Sequence, residues 1–211
     1  DYPLGNELKE KFEKMDIPVN ILESNRVNFL RGKNVQEKYE IGKRVLVIGV
    51  RRTLEFQSCK PSAHYQLPLV TGCIGKCEYC YLNTNLKDKP FTRIYVNIDD
   101  ILKKAKRYIQ TGKFRPTIFE GSATSDPVPV EPYTHALAKS IEFFAKDPNT
   151  RFRFVTKFTD IDDLLHLKHN GHTEMRFSIN TDTVIESFEH GTPRAKQRIE
   201  AARKAIKAGY P

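Results

Sequence analysis

The sequence predicts an α/β protein that forms an incomplete (β/α) barrel, preceded by a short irregular N-terminal region. Short apolar runs alternate with amphipathic segments from residue 65 onward, which is typical of parallel βαβ units. Four barrel-type units can be counted, too few to close a barrel. The chain stops at Gly209-Tyr210-Pro211, where another strand would begin. We therefore expect a barrel truncated at its C-terminus or a sheet left open.

Residues 1–43 are expected to lie outside the barrel, which is assigned to residues 44–211. Dense charges with few apolar positions predict a short exposed helix over residues 7–14, followed by an irregular segment through about residue 38. A continuous β-branched run over residues 44–50 suits a buried strand. An irregular stretch containing Cys59 follows it.

Strands and helices then alternate. The β-rich runs predict strands over residues 65–71, 117–120, 152–156 and 174–179, and an extended piece over residues 93–97. Helices are predicted over residues 99–110, 132–145, 161–168 and 194–208. Asp99 or Asp100 is expected to cap the first of these helices, and Gly209 suits a left-handed position after the last. Ligands are expected at the C-terminal ends of the strands.

The composition excludes a disordered chain and a membrane-spanning one. Apolar residues make up 39% and charged residues 29% of the 211 residues, with 13 Phe and 9 Tyr to supply a core. No run approaches the roughly 18 apolar residues that a membrane helix needs, and no signal peptide opens the sequence. We predict one principal folded domain, monomeric and cytoplasmic, with no membrane partner.

The charge balance favours a polyanionic partner. Lys and Arg number 35 against 26 Asp and Glu, which gives a formal net charge of +9. Basic side chains gain affinity by releasing counterions from phosphates. Nucleic-acid binding is one interpretation, and an ordinary solvated basic surface is the other. The candidate phosphate contacts are Arg51, Arg52, Lys103, Lys104, Lys106 and Arg107.

Three of the four cysteines lie within eight positions. Cys73, Cys77 and Cys80 have the spacing Cys-x3-Cys-x2-Cys, directly after a predicted strand, and clustered thiols in a cytosolic chain favour a metal over disulfides. Thiolates are the soft ligands that iron–sulfur clusters require. Three of them leave one iron of a [4Fe–4S] cluster open for a substrate or cofactor. Gly72 and Gly75 allow a short loop to wrap such a cluster.

Two other interpretations of these cysteines stay open. A structural zinc site would need a fourth ligand, for which Cys59 and the six histidines are candidates at irregular distances. The three cysteines could also be unrelated core residues, although such residues rarely share this spacing after a strand.

The three-cysteine spacing, with the aromatic Tyr79 just before the third cysteine, resembles the radical S-adenosylmethionine (SAM) superfamily. The resemblance implies a partial barrel of the radical SAM type and a [4Fe–4S] cluster whose open iron binds SAM through its amino and carboxylate groups. It also implies cleavage of SAM to methionine and a 5′-deoxyadenosyl radical. The motif does not select the reaction. Another radical SAM enzyme and a zinc-stabilised nucleic-acid-binding module are therefore the alternatives.

Longer segments narrow the choice to one family. Six segments resemble spore photoproduct lyase, and they lie at residues 2–5, 51–56, 60–63, 95–100, 176–180 and 201–204. The resemblance implies DNA repair in the spore core of an endospore-forming bacterium, where the spore photoproduct, 5-thyminyl-5,6-dihydrothymine, is split back to two thymines. The adenosyl radical removes a hydrogen from C6 of the dihydrothymine half, and the bridging carbon–carbon bond then breaks. The implied partners are ultraviolet-damaged DNA and an electron donor such as a flavodoxin or ferredoxin.

The resemblance also assigns residues to the radical chemistry. The family's hydrogen-donor cysteine lies on the loop after the second barrel strand, and Ala123 occupies its position. A methyl C–H bond is far stronger than S–H, so we expect impaired turnover, with an engineered substitution favoured over a natural loss. Tyr79 and Tyr81 match tyrosines of a radical relay that returns a hydrogen toward SAM, and Tyr81 is also a candidate SAM contact. Packing of both rings beneath the cysteine loop is the alternative.

Three polar residues are candidate SAM ligands. Lys157 and Ser178 lie at the ends of the third and fourth barrel strands, where the resemblance places the SAM carboxylate and ribose. Ser125, just past the donor position, is a candidate contact for SAM or the lesion. A solvated side chain or a cap is the alternative for each. Cys59 has no counterpart among the family's catalytic cysteines, so we expect a partly buried spectator thiol that could replace the donor only if the fold brought it next to Ala123.

Overall fold

The structure is a computed structural model that describes residues 2–24, 27, 32–87 and 89–211. Its helices are α1 (Pro3–Lys14), α2 (Val35–Lys43), α3 (Leu82–Asn85), α4 (Ile98–Gln110), α5 (Glu131–Thr134), α6 (Ala136–Phe144), α7 (Asp182–Phe188) and α8 (Ala195–Lys207). Its strands are β1 (Leu46–Gly49), β2 (Ser58–Cys59), β3 (Ala63–Leu67), β4 (Val70–Thr71), β5 (Lys76–Cys77), β6 (Thr92–Tyr95), β7 (Thr117–Gly121), β8 (Thr150–Thr156), β9 (Thr173–Phe177) and β10 (Glu189–His190). No helix in these ranges is long and apolar enough to cross a membrane.

Four parallel strands form the centre of the fold. β3, β7, β8 and β9 lie side by side in chain order, and β2 pairs antiparallel with β3 at the edge. The register places Glu120 opposite Arg153 and Gly121 opposite Phe154. This sheet confirms the predicted α/β class and the four predicted barrel strands. It does not close into a barrel within the described part of the chain.

Aromatic side chains form the core on one face of this sheet. Phe119, Phe152 and Phe154 are fully buried there. Phe144 of α6 lies against the sheet, with its ring centre 4.9 Å from that of Phe119 and 5.2 Å from that of Phe152. Aromatic rings remove large apolar areas from water and pack with defined geometry, so this face fixes the helix against the strands.

The N-terminal region has more structure than the sequence predicts. The helix predicted over residues 7–14 is part of α1, which begins at Pro3 and buries Leu8 and Phe12 instead of lying fully exposed. Residues 35–43 form α2, where the sequence predicts an irregular segment as far as about residue 38. The Asn34 side chain caps α2 by accepting a hydrogen bond from the Glu37 N–H at 2.9 Å. Residues 25, 26 and 28–31 of that predicted segment lie outside the described residues.

One predicted strand is divided between two sheets. The run 65–71 forms β3 and β4, because Pro68 lacks an N–H and interrupts the ladder. β4 pairs with β6 in a separate three-stranded sheet of order β1-β6-β4. The predicted strand at residues 44–50 and the extended piece at 93–97 correspond to β1 and β6 of this second sheet. β5 and β10 form a two-stranded antiparallel ladder that the sequence does not predict, and β2 is likewise a short strand within the predicted irregular stretch.

The first and last predicted helices are confirmed with one change of cap. α4 begins at Ile98, and Asn97 occupies its N-cap position. Asp99 and Asp100 instead lie in the first turn, where a negative charge favours the positive end of the helix dipole. α8 ends at Lys207 and is followed by Gly209 at a φ of +89°, as the sequence predicts.

Two other predicted helices need correction. The segment 132–145 is broken at His135, whose φ of 48° ends α5 before α6 begins. The Glu131 carboxylate explains the break, because it accepts the N–H groups of Leu137 and Ala138 at 2.7 and 2.9 Å and caps α6. Burial raises the pKa of Glu131 to about 7, although these hydrogen bonds act in the opposite direction. The helix predicted over residues 161–168 is only the 3-10 turn Asp162–Leu164, and α7 is not predicted at all.

Gly72 fixes the turn that leads into the cysteine loop. Its φ is +81°, and a Cβ at this position would lie 2.4 Å from the carbonyl oxygen of Phe91. We predict that Gly72→Ala lowers the free energy of unfolding by about 1–2 kcal/mol for the left-handed backbone alone, with a further loss from the overlap. Urea unfolding measures the change. Gly49→Ala is the matched control, since a Cβ there meets no atom within 4 Å. Equal losses in the two variants would contradict the prediction.

Candidate functional site

The predicted site residues come together at one edge of the central sheet. The cysteine loop, defined as residues 73–80, follows β4, and residues 122–126 follow β7. Lys157 follows β8, and Ser178 follows β9. Parallel strands direct their carboxyl ends to the same edge, which brings together the segments after β7, β8 and β9. The cysteine loop joins them because Gly72, the residue before it, pairs with Ser125.

The loop at residues 122–126 is attached to β4 and to the residue after the cysteine loop. The Ser122 hydroxyl accepts a hydrogen bond from the Val70 N–H at 2.8 Å, and the Ser125 hydroxyl donates to the Ser122 carbonyl at 3.4 Å. Tyr81 donates its hydroxyl to the carbonyl oxygen of Ala123 at 2.7 Å. Ala123 and Tyr81 therefore touch, and the contact uses only the backbone of Ala123.

Asp126 holds this loop to the end of β8. Its carboxylate accepts the Thr156 hydroxyl at 2.7 Å and the backbone N–H of Lys157 at 2.9 Å. Burial raises the pKa of Asp126 to about 6, although these hydrogen bonds act in the opposite direction. The backbone of Lys157 is thus fixed at the site by a carboxylate from the neighbouring loop.

The three clustered cysteines share one environment. Cys77 is buried, and Cys73 and Cys80 are partly buried. The Cys73 Sγ accepts the N–H of Gly75 at 3.3 Å. Burial raises the pKa of Cys73 to about 12 and raises the pKa of Cys77 as well. All three thiols interact electrostatically with Lys43.

This donor set fits a [4Fe–4S] cluster. Each of three thiolates would bind a different iron, and the fourth iron would stay open. Because the three thiolates would bind different irons, their sulfur atoms need not lie within bonding distance of a single ion. In the described part of the chain, no three Cys, His, Asp or Glu side chains form a group that could hold a single metal ion. Binding would release the protons that burial keeps on Cys73 and Cys77.

Tyr79 and Lys157 meet at a buried carboxylate. The Lys157 ammonium donates to the Tyr79 hydroxyl at 2.9 Å and lies 4.9 Å from the centre of its ring. The Tyr79 hydroxyl in turn donates to Glu189, and the Lys157 Nζ lies 3.4 Å from the same carboxylate. Asn180 donates to Glu189 at 2.6 Å. Burial and the bond to Glu189 raise the pKa of Tyr79.

A fully buried ion pair anchors this network. The side chains of Arg198 and Glu189 are both 0% exposed, and Arg198 donates to the carboxylate at 2.5 Å. Arg198 also donates to the carbonyl oxygen of Ser178 at 2.9 Å, so Ser178 joins the network through its backbone. Burial acts to raise the pKa of Glu189, but the hydrogen bonds from Tyr79 and Arg198 outweigh it and lower that pKa to about 2. The carboxylate therefore stays ionised.

β10 connects this ion pair to the cysteine loop. Glu189 lies opposite Cys77 in the β10–β5 ladder. The N–H of Glu78 donates to the Phe188 carbonyl at 2.9 Å and extends the contact. The segment that carries the second cysteine is therefore hydrogen-bonded to the segment that carries the buried carboxylate.

Cys59 lies closer to the site than the sequence suggests. β2 places it at the edge of the central sheet, opposite Ala63. Its thiol interacts electrostatically with Tyr81 and with Glu120, and burial and Glu120 together raise the pKa of Cys59. Since the Tyr81 hydroxyl binds the Ala123 carbonyl, Cys59 shares a neighbour with the position of the expected donor.

A charged cluster lines the open face of the central sheet. Glu120 is 3% exposed and accepts the Ser62 hydroxyl at 2.7 Å and the Arg153 Nε at 3.2 Å, and it also binds Arg176. Neither this cluster nor Glu189 was predicted from the sequence. The alternation of Arg and Phe over residues 151–154 is a signal for the charged face, because successive strand residues point to opposite sides. Glu189 leaves no such local signal.

Two of the basic residues proposed for phosphate contact are engaged within the chain. Lys104 pairs with Glu55. The Arg51 side chain donates to the Thr53 carbonyl at 3.0 Å and lies 5.6 Å from the centre of the Tyr95 ring. Contact of the six basic residues with nucleic acid stays a prediction.

Known proteins of one family resemble this chain. A family model described as spore photoproduct lyase matches residues 1–211. A curated spore photoproduct lyase of Clostridium acetobutylicum is 52% identical over 210 residues, and one of Bacillus subtilis is 50% identical over 212 residues. Each match covers 100% of this chain and 62% of the relative. The chain therefore spans 62% of the length of these relatives.

Solved structures of the same family share the fold. A spore photoproduct lyase complexed with dinucleoside spore photoproduct matches with a TM-score of 0.95 at 49% identity. A double mutant, with one cysteine-to-alanine and one serine-to-cysteine substitution and with bound AdoMet and dinucleoside spore photoproduct, matches with a TM-score of 0.95 at 50% identity. Both matches cover 99% of this chain and 62% of the other.

The buried ion pair gives a testable prediction. We expect Glu189→Gln to lower the free energy of unfolding by about 3 kcal/mol near neutral pH, because it leaves the buried Arg198 without its counter-charge. The folded-state pKa of Glu189 is lowered, so its contribution is complete above the unfolded-state pKa and is lost as the pH falls. Urea unfolding from neutral pH downward should therefore show the two proteins converging below about pH 5.

The matched control is Glu186→Gln, which breaks an exposed pair with Arg194. It should change the free energy of unfolding by less than about 0.5 kcal/mol. A difference between wild type and Glu189→Gln that does not depend on pH would contradict the prediction.

Proposed function

This chain belongs to the spore photoproduct lyase family, and we propose that it is a radical SAM lyase that splits the spore photoproduct in ultraviolet-damaged DNA of the spore core. The observation that carries the proposal is the gathering of the three clustered cysteines, Tyr79 and Lys157 at one edge of the sheet. Relatives solved with AdoMet and with the dinucleoside lesion support it.

The strand-end residues have the chemistry that the cofactors need. Cys73, Cys77 and Cys80 would hold the [4Fe–4S] cluster, which, when bound and reduced by a flavodoxin or ferredoxin, supplies the electron that cleaves SAM. Lys157 is suited to the SAM carboxylate, because burial opposes its charge but the bond to Tyr79 and nearby negative groups raise its pKa. Ser178 is proposed for the ribose and Ser125 for SAM or the lesion. Tyr81 is proposed both as a SAM contact and as a relay residue.

The lesion is proposed to enter at the open face of the sheet. A thymine dimer inside a duplex is out of reach of a site within a barrel, so it has to be extruded, and a damaged step is easier to unstack. The cluster of Glu120, Arg153 and Arg176 offers N–H donors and one carboxylate to the polar edges of the bases. The net charge of +9 favours the phosphate backbone outside the pocket.

Cys59 is the proposed source of the hydrogen that completes the repair. Ala123 has only strong C–H bonds, whereas the Cys59 thiol interacts electrostatically with Tyr81, whose hydroxyl binds the backbone of Ala123. Its S–H bond breaks, a C–H bond forms on the product thymine radical, and a thiyl radical remains. The Tyr81 hydroxyl hydrogen restores the thiol. The Tyr81 radical then takes a hydrogen from Tyr79, and the Tyr79 radical takes one from 5′-deoxyadenosine. The resulting 5′-deoxyadenosyl radical would form the S–C bond to methionine and one electron would return to the cluster, which would regenerate SAM. On this proposal Ala123 does not impair turnover.

Metal loading tests the cluster assignment. We expect the anaerobically reconstituted chain to be brown with broad visible absorbance and about four irons per chain. Alanine at position 73, 77 or 80 should abolish the absorbance, because each thiolate binds a separate iron. Cys59→Ala, the remaining cysteine, is the matched control and should retain it. A colourless chain that binds one zinc ion would support the zinc module instead.

Lesion turnover tests the reaction and the hydrogen source. The assay combines the synthetic dinucleotide lesion, SAM and dithionite without oxygen, and it measures thymine, 5′-deoxyadenosine and side products. We expect wild type to repair cleanly, and Cys59→Ser to cleave SAM but to release aberrant adducts in place of most of the thymine. Adding Ala123→Cys to Cys59→Ser should restore repair.

The neighbouring variant Ser58→Ala is the control for disturbance of β2 and should repair like wild type. Clean repair by Cys59→Ser would remove Cys59 from the mechanism while leaving the lyase assignment intact. Cleavage of SAM by every form without any change in the lesion would favour another radical SAM reaction.

A further inference from the structure

Helix α2 packs one face against the cysteine loop. Lys43 donates from its ammonium to the carbonyl oxygens of Cys73 and Gly75, each at 2.8 Å. Glu40, on the same helix, forms an ion pair with Lys76. Residues three and four apart share a face of a helix, so Glu40 and Lys43 reach the same side. The loop between the first two cysteines is thus held by charged groups from a segment about 30 residues earlier.

A second contact from α2 reaches the far end of the loop. The Tyr39 hydroxyl donates to the side-chain oxygen of Asn83 at 3.3 Å. The amide nitrogen of Asn83 donates to the carbonyl oxygens of Cys77 and Glu78 at 3.1 and 3.3 Å. The Lys43 ammonium also lies 5.4 Å from the centre of the Tyr39 ring. α2 therefore supports the loop on both sides of its second cysteine.

Lys43 combines hydrogen bonds to the cysteine loop with a charge that acts on the thiols. It is partly buried, and all three clustered cysteines interact with it electrostatically. Lys76 also carries a positive charge, but Glu40 neutralises it. A positive charge near a cluster stabilises the more negative, reduced state, and hydrogen bonds and nearby charges are among the factors that set the potential of iron–sulfur clusters.

We propose that Lys43 is a positioning residue for the cluster of the proposed function. It fixes the carbonyl groups of Cys73 and Gly75, which sets the shape of the loop between the first two ligands. Its ammonium also raises the reduction potential of the bound cluster. This inference rests on the proposed function for the cluster, whereas the loop contact exists in the iron-free chain.

The test compares three variants of the full chain. Lys43→Met removes the charge and both hydrogen bonds at similar length, and Lys43→Arg keeps the charge. Lys38→Met is the matched control, because Lys38 lies on the same helix and is exposed. None of these residues is a cluster ligand.

Two measurements on the reconstituted protein test the effect on the cluster. We expect Lys43→Met to lose iron to a chelator about 10-fold faster than wild type, the scale found when a group supporting metal ligands is removed. Its midpoint potential, followed by electron paramagnetic resonance during reductive titration, should shift to more negative values. Lys43→Arg should recover most of the potential, and Lys38→Met should match wild type in both measurements. Equal behaviour of Lys43→Met and Lys38→Met would overturn the proposal.

A measurement on the iron-free chain separates this inference from the proposed function. Hydrogen–deuterium exchange of the backbone amides of residues 73–76 should be faster in Lys43→Met than in wild type, because the loop loses two hydrogen bonds. This exchange does not depend on the ionisation of the thiols. Unchanged exchange would overturn the positioning role. A wild-type chain that takes up no cluster would overturn the proposed function and the effect on the potential, while the exchange rates would still decide whether Lys43 holds the loop.

Discussion

The constraint on which this site depends is the placement of three thiols that must ionise on one short, partly buried loop. Burial opposes ionisation of Cys73 and Cys77, and neighbouring thiolates repel one another. Cations from three different elements offset these two effects and favour the thiolates. Lys43 favours the ionised form of Cys73, and Lys157 and Arg198 favour that of Cys77. The ionisation of the cysteine loop thus depends on charges from α2, from the end of β8 and from α8, none of which lies in the loop itself.

The two faces of the central sheet differ: one packs against helices, and the other carries charged side chains. Fully buried phenylalanines hold the helices on one side, and the Glu120 cluster lies on the other. A partly buried charged cluster is costly unless its groups are satisfied. The Nε of Arg176 is buried without a hydrogen-bond partner among the described residues, and its ion pair with Glu174 is long at 3.7 Å. This donor suits a polar atom of a bound molecule, which agrees with the proposal that the lesion binds here.

The local features of the fold could be predicted from the sequence, and the contacts between distant segments could not. The strands at 117–120, 152–156 and 174–179 follow from β-rich runs, and the cysteine spacing predicts the metal ligands without reference to the fold. The break in the run 65–71 follows from Pro68, which carries no N–H.

The remaining differences have non-local causes. α2 is polar over most of its length, so periodicity does not mark it, and its role comes from contacts with the cysteine loop. The meeting of Tyr79, Lys157 and Glu189 joins three segments that no sequence pattern connects. β10 is two residues long and exists only because β5 pairs with it. The sequence therefore predicts candidate ligands, but not the groups that hold the loop that carries them.

The contact between Tyr81 and Ala123 has a consequence for how such a site can diverge. Tyr81 binds the carbonyl oxygen of residue 123, and Ser122, Asp126 and the carbonyl oxygen of Thr124 make further hydrogen bonds that hold this loop. None of these hydrogen bonds uses the side chain at position 123. A lineage can exchange it without remodelling the backbone, provided that another strand facing the same cavity supplies the lost chemistry. A reactive group can thus move to another strand during evolution while the fold stays the same.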